Sequence, residues 1–303
     1  MRAMGDDKAL RALVEGRLSA PVPDAVRAIG KAVGDARGPG VAAVLAYGSA
    51  LRGVPASDTL IDLYVLTDRP GAISPNRLSR AACRLLPPNV YYAEATHEGA
   101  TVRAKCAVLP LDVFERKVAP QTDNPYFWAR FAQPSALLHA RDADIAARVE
   151  AAVATAIARM VQEGRRLAGT ASGSDTDPLR LWVRALTATY ATELRSERED
   201  RARQIVGADE SWYRETAALV PPAGDMRSAV GHVWLRRRVA GKLLSVLRLV
   251  KAAFTFSGGA DYIAWKIERH SGVPVELTDW QRRHPILAAL TLIPKLYRKG
   301  AFR

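Results

Sequence analysis

The chain has 303 residues, 49% of them hydrophobic and 25% charged, enough to bury a sizeable core as two domains or one domain with a large helical half, which excludes a disordered chain. Two cysteines, Cys83 and Cys106, make neither a disulfide framework nor a metal-ligand spacing, so a reducing compartment and two buried apolar thiols are expected. The net charge of +13 is uneven: Gly231 to Arg303 carries 14 Lys/Arg against 4 Asp/Glu, a surplus of +10, which suits a nucleic-acid backbone, an anionic membrane or a polyanionic substrate.

In chain order, Asp6 and Asp7 ahead of Lys8 fit neither a secretory signal nor an acid-poor transit peptide. Residues 1–35 read as helical, with Leu10, Leu13, Val14 and Leu18 on one stripe, a break at Pro21 and Pro23, and a second short helix from Asp24. Strands are expected at about 41–47 and 60–67. Arg77 to Leu86 reads as a helix ending at Pro87-Pro88. Two strands follow, Asn89 to Ala95 and Ala100 to Leu109, joined by a turn at His97-Glu98-Gly99. From about residue 125 the pattern turns helical: Asp144 to Leu167, a linker at Ala171-Ser172-Gly173-Ser174, then Leu179 to Arg203, and Ser228 to Phe256 stopped by Gly258-Gly259. No apolar run reaches the roughly 18 residues of a spanning helix.

The most informative stretch is Ala46-Tyr47-Gly48-Ser49 followed by Leu60-Ile61-Asp62-Leu63-Tyr64-Val65. It reads as a strand, a tight Gly-Ser turn opening a helix, and a second strand that brings a carboxylate to the same edge. Gly48 lets the backbone approach a ligand, and the amides after it, with the Ser49 hydroxyl, can hold triphosphate oxygens. Asp62 is then placed for the magnesium that accompanies a triphosphate. This is the Gly-Ser and Asp signature of polymerase-beta-like nucleotidyltransferases. Tyr64 occupies the place where that superfamily usually has a second carboxylate, and Asp58 in the preceding loop is the alternative oxygen donor.

Four stretches in order resemble one branch of that superfamily, the mitochondrial translocator assembly and maintenance family, whose members are CDP-diacylglycerol synthases (phosphatidate cytidylyltransferases), and its bacterial relatives. They are Ala46-Tyr47-Gly48-Ser49; the single-aspartate strand Leu60 to Asp68; Asn89-Val90-Tyr91-Tyr92 with Arg103-Ala104-Lys105-Cys106-Ala107-Val108; and Phe127-Trp128-Ala129-Arg130-Phe131-Ala132-Gln133-Pro134. Lys242 to Phe256 and Tyr262-x-x-x-Lys266 are similar to the family's C-terminal part more loosely. The resemblance implies catalytic roles for Asp62 and Lys105, nucleotide binding at Gly48, Ser49, Tyr92 and Arg103, and Mg2+ at Asp62, for which the loop residue Asp58 is the candidate second donor. It implies CTP and phosphatidate, or a related lipid phosphate, as substrates. A phosphate nucleophile with a second pKa of roughly 6 is mostly dianionic at neutral pH, so one strand aspartate suffices without a general base.

The expected fold is α+β: a polymerase-beta-like nucleotidyltransferase sheet domain over 1–140 with N-terminal helices, a helical domain over 141–279, and a basic amphipathic segment over 280–303. That segment, an apolar stretch of about ten residues flanked by Trp280, Tyr297 and basic side chains, is too short to span and suits an interfacial helix. The protein is therefore expected in the cytoplasm, peripheral to the inner face of an anionic membrane. The alternatives are a nucleotidyltransferase acting on RNA or protein, and a non-catalytic relative in which Tyr64 marks a lost metal site. With 7% aromatic residues and no RNA-binding module in the sequence, a nucleic-acid partner is not expected.

Overall fold

The computed structural model describes residues 2–53, 55, 59–169, 177–194, 199–222, 230–255 and 275–283. Asp58, the 171–174 linker, Gly258-Gly259, Tyr262, Lys266 and residues 284–303 of the basic segment lie outside the described residues.

The protein is mixed α/β, with a five-stranded sheet and many helices. The strands are β1 (Val41–Tyr47), β2 (Ile61–Thr67), β3 (Asn89–His97), β4 (Ala100–Pro110) and β5 (Ser135–Ala140), in spatial order β3-β4-β2-β1-β5. β2 and β4 run parallel, and the other neighbours run antiparallel. β1 and β2 are apolar runs apart from Asp62, Thr67 and the tyrosines because they lie inside the sheet, covered on both faces. Glu98 and Gly99 have φ of 50° and 77°, the left-handed pair that a two-residue hairpin requires, and this closes β3 onto β4.

One sheet face carries Val44, Ala46, Ile61, Leu63, Cys106 and Val108 and packs against Val26, Ile29 and Val33 of α2 (Asp24–Arg37). The opposite face carries Leu45, Tyr64, Leu66 and Leu109 and forms the larger core with α1 (Arg2–Leu18) and the helices that follow. After β2 come α3 (Pro70–Ile73) and α4 (Arg77–Leu85). Asn76 caps α4, its Oδ1 accepting from the Leu78 and Ser79 amides at 2.8 and 3.2 Å. After β4 come α5 (Leu111–Val118) and α6 (Trp128–Phe131), and after β5 the spine of the helical half, α7 (Ala143–Gly169). Around α7 lie α8 (Pro178–Tyr190), α9 (Glu199–Gly207), α10 (Glu210–Leu219) and α11 (Val230–Thr255); a single turn of helix, α12 (Asp279–Arg283), follows. Among the described residues no helix is long and apolar enough to cross a membrane.

Over the described residues, the expected strands and the helices expected within 1–35 and over 77–86, 144–167 and 228–256 match the observed elements closely. Cys83 and Cys106 are free and buried, as their sequence environment predicts. Two expectations fail. The helix expected over Leu179 to Arg203 ends at Tyr190. There Thr189 and Thr192 turn their hydroxyls back onto the carbonyls of Leu186 and Thr189, at 2.8 and 2.6 Å, and Glu193 turns to meet Arg130. The helix expected to open at Ser49 is a single 3₁₀ turn, Ser49–Arg52, stopped by Gly53 in the left-handed region at φ 79°.

Candidate functional site

Backbone register gathers the site. Tyr47 pairs with Asp62, Asp62 with Lys105, and Lys105 with Tyr92, so these side chains form one row across four strands on the same sheet face. Gly48, where β1 ends, has φ 92°, and a Cβ there would stand 3.0 Å from Asp62 Oδ2. The main chain thus comes against the Asp62 carboxylate in a conformation that only glycine adopts without strain. Ser49 Oγ lies 2.8 Å from Thr59 Oγ1, tying the Gly-Ser turn to the chain that enters β2.

Gly48, Ser49, Asp62 and Lys105 line a single cavity of about 220 Å³. Its aromatic side is Tyr47 and Tyr64, with ring centroids 5.3 Å apart, and Tyr64 also packs edge-on to Phe131 at 4.8 Å. Its other wall comes from α6, which carries Arg130, and from the helical half, which supplies Tyr190, Glu193 and Arg201. Arg130 and Glu193, both nearly buried, form a two-pronged ion pair at 2.9 and 3.1 Å. The Tyr126 ring, also at the cavity, is sandwiched between the Arg130 and Arg248 guanidinium groups, each 3.8 Å from its centroid. Arg52, at the end of the 3₁₀ turn, completes the basic lining.

Burial sets the protonation of these groups. It pushes the Tyr47 hydroxyl up, reinforced by the Asp62 charge, and raises Tyr64 as well, so both are neutral hydrogen-bonding groups at physiological pH. For Arg130 burial pulls downward, but the Glu193 carboxylate together with Tyr126, Tyr64 and Tyr47 outweighs it and the guanidinium is held charged. Arg52 is lowered, first by burial and then by the charge of Arg201. Four cationic side chains, Arg52, Lys105, Arg130 and Arg201, face two carboxylates, Asp62 and Glu193. The lining therefore carries a surplus of positive charge, which attracts anions.

Sequence reasoning also expected Tyr92, Arg103, Asp58 and Tyr64 to bear on this site. Tyr92 shares the row with Lys105 but does not line the cavity; its hydroxyl donates to Glu94 Oε1 at 2.5 Å, and it borders a separate cavity at the sheet edge with Arg37 and Ile73. Arg103 also lies outside the site, its Nε paired with Glu94 at 3.2 Å. Tyr64, in the place of a second carboxylate, is a core aromatic forming the cavity floor. Among the described residues no group of three or more His, Cys, Asp and Glu side chains gathers as a metal cage. Asp62 alone fits a hard cation that keeps several waters and takes its remaining ligands from a bound phosphate chain.

Arg52, Tyr126, Tyr190, Glu193 and Arg201 are among the lining residues that the sequence does not assign to the site, and Arg130 stands there only within a resembling segment. A cation three residues beyond Ser49 was the local signal for Arg52; the residues from 190 onward had none, since helix packing alone delivers them. No protein-family model matches this chain, and no curated protein matches it.

Proposed function

We propose that this protein is a nucleotidyltransferase of the polymerase-beta-like kind, and specifically a phosphatidate cytidylyltransferase that makes CDP-diacylglycerol and pyrophosphate from CTP and phosphatidate. The observation that carries the reading is the convergence of the Gly48-Ser49 turn, Asp62 and Lys105 on one cationic cavity.

In this reading the amides after Gly48 and the Ser49 hydroxyl hold the outer phosphates, a compact cradle because the 3₁₀ turn is only four residues long. Asp62 would hold Mg2+, which when bound would neutralise charge at the phosphates. Lys105, in register beside Asp62 on the parallel strand, places a point charge next to the transferring phosphoryl group. A phosphate oxygen of the acceptor forms the new P–O bond at the α-phosphorus while the bond to the β-phosphate breaks and pyrophosphate leaves with the electron pair. The attacking group carries no proton to remove, so the neutral, buried Tyr64 in place of a second carboxylate is compatible with the chemistry.

The lipid half of the proposal draws support from α11. Its inner face is polar and basic: Arg237 meets Glu163, Arg248 donates to the Pro87 carbonyl at 3.1 Å, and Lys251 donates to the Leu86 and Pro88 carbonyls at 2.5 and 2.6 Å. Its outer face is an exposed stripe of Leu235, Val239, Leu243, Val246 and Val250, flanked by Arg236, Arg238 and Lys242. An apolar stripe facing outward between basic side chains suits the boundary of an anionic bilayer, and Arg248 and Lys251 tie the same helix to the chain entering β3. Trp280 of α12 is exposed as well.

Incubation of the purified protein with labelled CTP, ATP or GTP, Mg2+ and phosphatidate vesicles tests the proposal. CDP-diacylglycerol and pyrophosphate are expected from CTP, far above the other two. Equal use of all three nucleotides, with label passing to RNA or protein, would replace this reading with a nucleotidyltransferase acting on those polymers.

A further inference from the structure

Six charged side chains line the cavity. Arg130 and Glu193 are paired in two hydrogen bonds, and Asp62 and Lys105 are register neighbours on β2 and β4. Arg52 and Arg201 share the cavity with them. Among the described residues no carboxylate lies within 4.0 Å of either guanidinium. The side-chain bond that Arg201 makes is with Gln204 of its own helix, at 3.2 Å.

The two arginines reach the cavity from elements about 150 residues apart in sequence, the 3₁₀ turn after Gly48 and α9. Both are half-buried. Like charges brought together in a partly desolvated recess repel, and the cost is offset when an anion sits between them. Their combined charge matches that of one terminal phosphate, which is close to dianionic at neutral pH, and the planar guanidinium fork suits its oxygens.

We infer that Arg52 and Arg201 together form a seat for a terminal phosphate group within the cavity. The inference rests on the nucleotidyl-transfer reading for the identity of that phosphate, which is either the outer end of the nucleotide triphosphate or the monoester of the acceptor. The seat itself requires only an anion with a terminal phosphate.

Calorimetric titration with two probes separates the sources: inorganic pyrophosphate, which represents the departing end of the triphosphate, and a short-chain soluble phosphatidate, which represents the acceptor. Arg52→Ala and Arg201→Ala are each expected to weaken at least one probe about tenfold, the scale of removing one charge-assisted hydrogen bond. Arg203→Ala is the control, because Arg203 sits two residues along the same helix, is paired with Glu199 at 2.5 Å and does not line the cavity; it should leave both affinities unchanged. Weakening confined to pyrophosphate assigns the seat to the nucleotide, and weakening confined to phosphatidate assigns it to the acceptor. The inference is overturned if the wild type binds neither probe, or if folded Arg201→Ala binds both as the wild type does; Arg201 is half-exposed on a helix surface, so this variant carries the test even if Arg52→Ala fails to fold. Arginine-dependent probe binding in a protein that transfers no nucleotide would keep the seat and discard the proposed reaction.

Discussion

Asp62 and Gly48 are two halves of one constraint. Asp62 lies on β2 with its carboxylate 3.0 Å from where a Cβ on residue 48 would stand. Asp62→Asn removes an anionic oxygen without removing a core contact, so transfer should fall below about a tenth of the wild-type rate, more than about 1.4 kcal/mol in the barrier, while the thermal melt stays unchanged. Gly48→Ala should lose activity and stability together, because its φ of 92° is strained for alanine and the new methyl displaces the carboxylate. Ser49→Ala, which gives up one hydroxyl bonded to Thr59 and leaves the amides in place, should be the mildest of the three in a steady-state assay. The buried cysteines permit a separate check. Burial pushes the Cys106 thiol up to about 12 and raises Cys83 as well, so at pH 8 the Cys106 thiolate fraction is on the order of one in ten thousand. A disulfide reagent should therefore label neither thiol in the native protein and both in denaturant; rapid labelling of the folded chain would contradict the burial of both side chains.

At the scale of elements, α11 is the helix whose orientation most needs explanation. Arg237, 4% exposed, is locked to Glu163 of α7 by bonds of 2.8 and 3.1 Å and to Asp123 at 2.9 Å. Arg159 and Arg166 lean on the same Glu163 carboxylate at 3.2 and 3.3 Å. Glu163→Ala would leave buried guanidinium groups without their counter-charge and should cost about 3–5 kcal/mol in a urea titration. The close approach of this helix has a second anchor in Gly241, where a Cβ would meet the Thr192 carbonyl oxygen at 2.6 Å. With charges turned inward, the outward Leu243 and Val246 have no part in this anchoring. The double variant Leu243→Asp, Val246→Asp should keep the fold yet lose co-sedimentation with anionic vesicles. If the wild type is instead a dimer in solution and this variant a monomer, the stripe is an interface between copies and the bilayer assignment falls.

For the whole molecule, the surplus of +10 beyond residue 230 makes vesicle binding an electrostatic matter as well as an apolar one. Each basic side chain near an anionic surface contributes about 1 kcal/mol, and the attraction acts over roughly 10 Å at 0.1 M salt. Binding to vesicles containing anionic lipid should weaken steadily as salt is raised and be absent with neutral lipid at any salt. Salt-independent binding would point to apolar contact alone.

The sequence by itself determined what depends on near neighbours. The Gly48-Ser49 turn and Asp62 belong to two strands joined within twenty residues, and the apolar runs around them announce buried strands, so their meeting follows from local pattern. Lys105 follows one step later, because β3 and β4 are joined by a two-residue turn. β5 was not legible: Ser135–Ala140 is short and only partly apolar, and it is a strand because β1 offers it an edge to pair with. The break after Tyr190 was hidden for the same reason, since helical periodicity runs on through residues that Arg130 draws away by holding Glu193. The tertiary structure alone decided that Glu193 and Arg201 join Asp62 around one cavity, a juxtaposition with no spacing to betray it. It alone decided also which way α11 faces: a 3.6-residue period marks an apolar stripe identically whether it turns toward a core or toward a bilayer, and only the charges waiting on the body of the protein, Glu163 and Asp123 among them, draw the basic face inward.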